Sequence, residues 1–179
     1  MADNFYSIGN EELLKNHKIA FLCSQKCPAS IILKSYDWAI EQREYGNCVI
    51  SGFHSKIEKD VFHYLLKGNQ PIILAEGRGI KQKYNPEITQ AINENRLFVI
   101  SPFDKSITRI TTRTAIQRNE FMASLADEIF IAYTSPNGKL QKLILEIQPD
   151  GKFISTFDVE ENKELIESGI IKLDKAFHQ

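Results

Sequence analysis

The amino-acid sequence predicts an α/β protein with a three-layer, Rossmann-like fold and a mainly parallel sheet. Three observations carry this expectation. Short apolar runs alternate along the chain with stretches of helical periodicity. Most of these runs are apolar at consecutive positions, as strands covered on both faces are. Glycine, proline, serine or asparagine punctuates the junctions. Such alternation implies right-handed crossovers between parallel neighbours.

Lys18-Ile19-Ala20-Phe21-Leu22-Cys23 is the first run and reads as a doubly buried strand. Ile31, Ile32, Tyr36, Ala39 and Ile40 then recur at three- and four-residue steps, a helix that should stop near Gly46. Cys48-Val49-Ile50 is a second strand, ending at Ser51-Gly52; Val61, Phe62, Leu65 and Leu66 mark a helix that stops at Gly68. Pro71-Ile72-Ile73-Leu74-Ala75 is a third strand, and Gly77 and Gly79 punctuate the turn after it. Pro86 suits the first position of a helix carrying Ile88, Ala91 and Ile92. Leu97-Phe98-Val99-Ile100 is a fourth strand, closed by Ser101-Pro102. Residues 114–126 read as helix, with Phe121 and Leu125 four apart, and residues 128–133 as a fifth strand. Leu140, Leu143, Ile144 and Ile147 form a helical stripe ended by Pro149-Asp150-Gly151. Residues 153–157 are a sixth strand, 160–168 a last short helix, and 170–173 a final strand. No linker, repeat or low-complexity stretch interrupts this pattern. Residues 1–179 are therefore expected to form a single domain, with 1–17 as an N-terminal extension and 158–179 as its last helix and strand.

Composition narrows the class. A net charge of −1 excludes a histone-like polycation, while 42% hydrophobic and 25% charged residues suit an ordinary globule. No run approaches the ~18 apolar residues of a membrane span, and the N-terminus lacks the apolar region of a secretory signal. A cytoplasmic protein is expected. Cys23, Cys27 and Cys48 are odd in number, and His17, His54, His63 and His178 are scattered, so no metal is expected and reduced thiols are. Trp38 and Phe62 read as core; His54 and His63 read as helix-flank and surface residues.

In open parallel sheets, ligands sit beyond the carboxyl ends of the strands. The segments at those ends are Ser24-Gln25-Lys26, Ser51-Gly52, Glu76-Gly77-Arg78-Gly79, Ser101-Pro102 and Thr134-Ser135-Pro136-Asn137-Gly138. Small hydroxyl and glycine residues recur there, which suits backbone N–H groups converging on an anion at helix starts. Ordinary turn chemistry uses the same residues, so both readings stand. There is no G-x-G-x-x-G after the first strand, no G-x-x-x-x-G-K-[ST] and no G-x-S-x-G. A dinucleotide-binding fingerprint, a P-loop and a hydrolase elbow are therefore missing.

The order and spelling of these segments resemble one family. Residues 19–25 look like the "vaivGSR" strand and turn of the DNA-processing protein A (DprA/Smf) family, and residues 49–53 like its "vvSGlA" segment, followed by Ile57-Glu58 for Ile-Asp. Residues 118–126 are similar to "RNriiagLs", 135–140 to the "SGSl" turn, and 162–170 to "N.LI..GA". The resemblance covers residues 6 to 173. It implies a Rossmann-like domain that binds single-stranded DNA and helps load recombinase during natural transformation, as a homodimer. The matching positions are Ser24 and Gln25, Ser51 and Gly52, Arg118 and Asn119, with Ser135 and Gly138 in the later turn. Cys23 stands for the family's glycine, Gln25 for its arginine and Lys56 for another glycine, while Phe62 holds the spacing of its histidine. The wider group also contains nucleotide-sensing and nucleotide-hydrolysing domains.

Arg118 is read at a helix start, where a cation is disfavoured unless an anion is near; a solvated arginine is the plain alternative. Asn119 either caps that helix or holds ligand. Lys105, Arg109, Arg113 and Arg118 face only Asp104 and Glu120 over residues 104–120, and Arg78, Lys81 and Lys83 add a basic stretch with Tyr84 for stacking. Charge runs of this kind are also ordinary solvated faces. The first functional reading is binding of single-stranded DNA or a nucleotide, without catalysis or cofactor. The alternative is a nucleoside-phosphate hydrolase with Glu58 as its acid/base, although no second acid accompanies it.

Overall fold

A computed structural model describes residues 4–148 and 151–173. Its eight strands are β1 (Tyr6–Gly9), β2 (Lys18–Cys23), β3 (Cys48–Ser51), β4 (Ile72–Ala75), β5 (Leu97–Ser101), β6 (Glu128–Tyr133), β7 (Phe153–Phe157) and β8 (Ile171–Leu173). Between them lie α1 (Ala29–Tyr45), α2 (Lys56–Leu66), α3 (Pro86–Asn93), α4 (Thr112–Leu125), α5 (Lys139–Ile147) and α6 (Lys163–Glu167). All strands share one sheet in the order β1-β5-β4-β3-β2-β6-β7-β8. Neighbours pair in parallel except β1, which runs antiparallel on β5.

The expected three-layer, Rossmann-like architecture is what folds. Alternate residues of the inner strands feed two separate cores. Ala20, Leu22, Ile73, Ile129 and Ile131 pack under α4, α5 and α6 with Met122, Ile144 and Leu165. Phe21, Cys23, Ile72, Leu74 and Phe130 pack under α1, α2 and α3 with Trp38, Val61, Phe62 and Ala91. On that face Trp38 stacks on Phe130 with ring centroids 4.9 Å apart. Fully burying each such side chain contributes about 1.5–3 kcal/mol.

Several boundaries differ from expectation. The segment 1–17 supplies an edge strand, β1, whose four residues are all exposed and so carry no apolar alternation to read. α2 begins at Lys56, ahead of its first apolar marker, because Ser55 and Glu58 form a capping box. α4 begins at Thr112, capped by the reciprocal Thr111–Thr114 pair. Gly46 ends α1 in the left-handed region at φ 74°, as its position suggested. Pro149 and Asp150, expected to end α5, lie outside the described residues, as do 1–3 and 174–179.

Candidate functional site

β3, β4 and β5 are laid down on one side of β2, and β6, β7 and β8 on the other. The switch point therefore falls between β2 and β6, whose following helices leave to opposite faces and open a crevice at the strand ends. A cavity of about 630 Å³ occupies it. Ser24, Gln25 and Lys26 line it from the β2–α1 loop, His54 and Glu58 from the start of α2, Thr111, Arg118 and Asn119 from α4, and Ser135, Gly138 and Lys139 from the start of α5.

Arg118 is the electrostatic centre. It is 3% exposed, and its Nη1 has no hydrogen-bond partner among the described residues. Its Nε donates to Asn119 Oδ1 at 3.1 Å. Burial pulls its pKa down, while the fields of Glu58 and Glu76 oppose that pull. Neither acid reaches it with an ion pair among those described. The guanidinium lies in a slot between two glycines: a Cβ on Gly52 would sit 2.3 Å from its Cζ, and one on Gly77 3.5 Å from its Nη1. One expectation is corrected here. Arg118 is not at a helix start but in the second turn of α4, so burial rather than the helix dipole makes it costly. Asn119 does not cap the helix either, since Thr111 does; it orients the arginine.

The serines divide by role. Ser24 Oγ accepts from the Ser135 N–H at 2.9 Å, tying the β2 loop to the β6 loop across the crevice. Ser51 is fully buried below the cavity; its hydroxyl donates to Phe21 O at 2.8 Å and accepts from Phe53 N–H at 3.2 Å. It shapes the turn that presents Gly52. Gly138 is the N-cap of α5 without a side-chain cap, leaving that helix's first N–H groups open toward the cavity. A Cβ there would meet Ser135 O at 2.8 Å. Gln25 is an exposed part of the wall.

Glu58 is buried, and both its oxygens are used. Oε1 accepts from Cys23 N–H at 3.2 Å, and Oε2 from His54 N–H at 2.8 Å and Ser55 N–H at 3.0 Å. A carboxylate held by three backbone donors is a structural bracket between β2 and α2. Ser55-x-x-Glu58 spells this bracket in the sequence. His54, expected to flank a helix, also lines the cavity; burial, then the charge of Arg118, pulls its pKa down.

The second basic stretch is partly committed elsewhere. Arg78 Nη1 donates to Thr108 O at 2.8 Å. Lys81 pairs with Glu76 at 3.2 Å and sits 5.3 Å over the Tyr84 ring, so one face of that ring is taken. No helix among the described residues is long and apolar enough to cross a membrane.

Sheet order, switch-point cleft and helices on both faces define a Rossmann-like α/β protein with a cleft at its strand ends. The chain belongs to the DNA recombination-mediator protein A family, whose profile matches residues 3–162. No curated protein sequence matches it. Among solved structures it is similar to DNA processing protein A from Helicobacter pylori at 17% identity and TM-score 0.78, covering 96% of this chain and 81% of that one. DNA processing protein A from Streptococcus pneumoniae gives 18% identity and TM-score 0.78, covering 94% of this chain and 62% of that one. A molybdenum cofactor binding protein from Rippkaea orientalis shares the fold at 10% identity and TM-score 0.62, covering 89% and 90%. At these identities the likeness establishes the fold.

Proposed function

We propose that the Arg118 cleft binds the phosphodiester backbone of single-stranded DNA, and that the chain acts in DNA processing without catalysing a reaction. The observation that carries this is the buried guanidinium with an unpartnered Nη1. A buried cation without a counter-ion is expensive, and a phosphate oxygen supplies both the missing charge and the missing acceptor. Lys26, Lys139 and the uncapped start of α5 add positive potential around the same cavity. The lining carboxylate, Glu58, is already occupied. Family membership supports the reading, as does the H. pylori relative, whose structure was described for its single-stranded DNA binding mode. A nucleotide would use the same phosphate contacts. Cytoplasmic action in DNA uptake and recombination, with a recombinase partner and a homodimer, belongs to the same proposal.

The test is fluorescence anisotropy with a labelled oligo-dT. Binding should be present at low salt, weaken steeply as salt rises, and fall about tenfold or more in Arg118→Ala, since a charge-assisted hydrogen bond contributes about 1.5–3 kcal/mol. No binding at low salt, or an affinity indifferent to Arg118, overturns it.

A further inference from the structure

Cys23 ends β2 and Cys27 lies four residues on, so the two thiols bracket Ser24, Gln25 and Lys26, the segment that forms one wall of the cleft. Both side chains pack into the core under α1 and α2, Cys23 buried and Cys27 half-buried. The two thiols are packed into one cluster, and each is the largest influence on the other's ionisation. Cys27 Sγ also lies 3.5 Å from Pro28 O. We propose that Cys23 and Cys27 are an oxidisable dithiol that closes into an intramolecular disulfide across the cleft-lining loop and weakens ligand binding there. The consequence for binding rests on the phosphate-site reading; the disulfide itself does not.

The chemistry divides between the two sulfurs. The contact from Cys23 lowers the pKa of Cys27, and that same contact together with burial raises the pKa of Cys23. Cys27 is thus the more readily ionised and the more exposed sulfur, and the thiolate is the reactive form. With a hydroperoxide as oxidant, the Cys27 sulfur attacks the peroxide oxygen and the O–O bond breaks. A sulfenic acid forms, and an alcohol or water leaves carrying the thiol proton. The Cys23 sulfur then attacks the Cys27 sulfur. The S–S bond forms, the S–O bond breaks, and hydroxide departs as water with the Cys23 proton. Two thiols lose two electrons in all, and one peroxide is reduced.

Closing the bond draws the sulfurs together to about 2.05 Å. Cys23 is anchored at the strand end, its backbone N–H bonded to Glu58. The movement therefore falls on Cys27 and the loop before it, where Ser24 holds the Ser135 N–H. Cys48 cannot compete. It pairs with Lys18 at the opposite end of the sheet, about 16 Å from Cys23 at ~3.3 Å per residue.

The full-length reduced chain, treated with hydrogen peroxide, decides it. Trypsin cuts after Lys26, so a disulfide holds two peptides together without reductant and releases them with dithiothreitol. The expected result is that pair, a mass loss of about 2 Da, and alkylatable thiols falling from three to one. Three surviving thiols, or sulfinic and sulfonic products without the linked pair, overturn the proposal. Labelled oligo-dT should bind the oxidised chain several-fold more weakly, recover on reduction, and be indifferent to peroxide in Cys27→Ser. A linked pair with unchanged affinity overturns the coupling to the cleft. If reduced protein fails to bind oligo-dT at all, the DNA reading falls, and the tryptic pair still decides the disulfide.

Discussion

Gly52 and Arg118 are in direct van der Waals contact across the sheet end, so close that a methyl group on Gly52 would overlap the guanidinium carbon at 2.3 Å. The glycine is there because the arginine is. Gly52→Ala should push the guanidinium out of its slot and cost oligonucleotide affinity about as much as Arg118→Ala, roughly tenfold. Because both changes act through one group, the double variant should be no worse than Arg118→Ala alone. Additive losses in anisotropy titrations would mean that Gly52 acts elsewhere.

Glu58 gives the second expectation. Its oxygens accept three backbone N–H groups from Cys23, His54 and Ser55. Glu58→Gln turns one acceptor into a donor facing donors, and Glu58→Ala leaves all of them without this partner. Urea unfolding should show losses of about 1–3 kcal/mol for each variant, the range for stranding buried polar groups. Release of free base from nucleoside monophosphates that vanishes in Glu58→Gln at unchanged stability would instead make it an acid/base residue.

What the sequence disclosed follows from where each signal comes from. The doubly buried strands were legible because Phe21-Leu22 or Phe98-Val99-Ile100 feed both cores and so read as unbroken apolar runs. β1 was not, since backbone pairing to β5 holds it and its side chains are exposed. The loops of the cleft were placed by their position after the strands. Their division of labour is hidden: Ser51 and Ser24 look alike in the chain, yet one hydroxyl is consumed by Phe21 and Phe53 below the cavity while the other, on the cavity wall, accepts from Ser135 N–H. Arg118 lies deeper in its helix than the sequence suggests because the Thr111–Thr114 cap lacks the usual acidic or amide partner.

His54 should report ligand through its titration. Burial and the neighbouring Arg118 charge hold its pKa below the ordinary 6.5 in the free protein. The unfolded chain therefore binds a proton that the folded one resists, and this group's contribution to stability declines as pH falls below 6.5. A phosphate beside Arg118 cancels much of the repulsion, so the His54 pKa should rise on binding and complex formation should take up protons. Imidazole NMR titration with and without oligo-dT checks the sign. A pKa that falls or stays fixed on saturation would place the anion away from Arg118.

The salt dependence of binding should count the cations that reach the backbone. Arg118, Lys26 and Lys139 line the cavity, whereas Lys81 is tied to Glu76. Each phosphate neutralised on a single strand contributes about −0.7 to the slope of log K against log salt. Three such contacts give a slope near −2, and Lys139→Gln should reduce its magnitude by about 0.7 while weakening all oligonucleotide sequences alike. Lys81→Gln should leave the slope unchanged, because its charge is already spent on Glu76. A slope that responds to Lys81 but not to Lys139 would move the nucleic-acid path from the α5 start to the β4 loop.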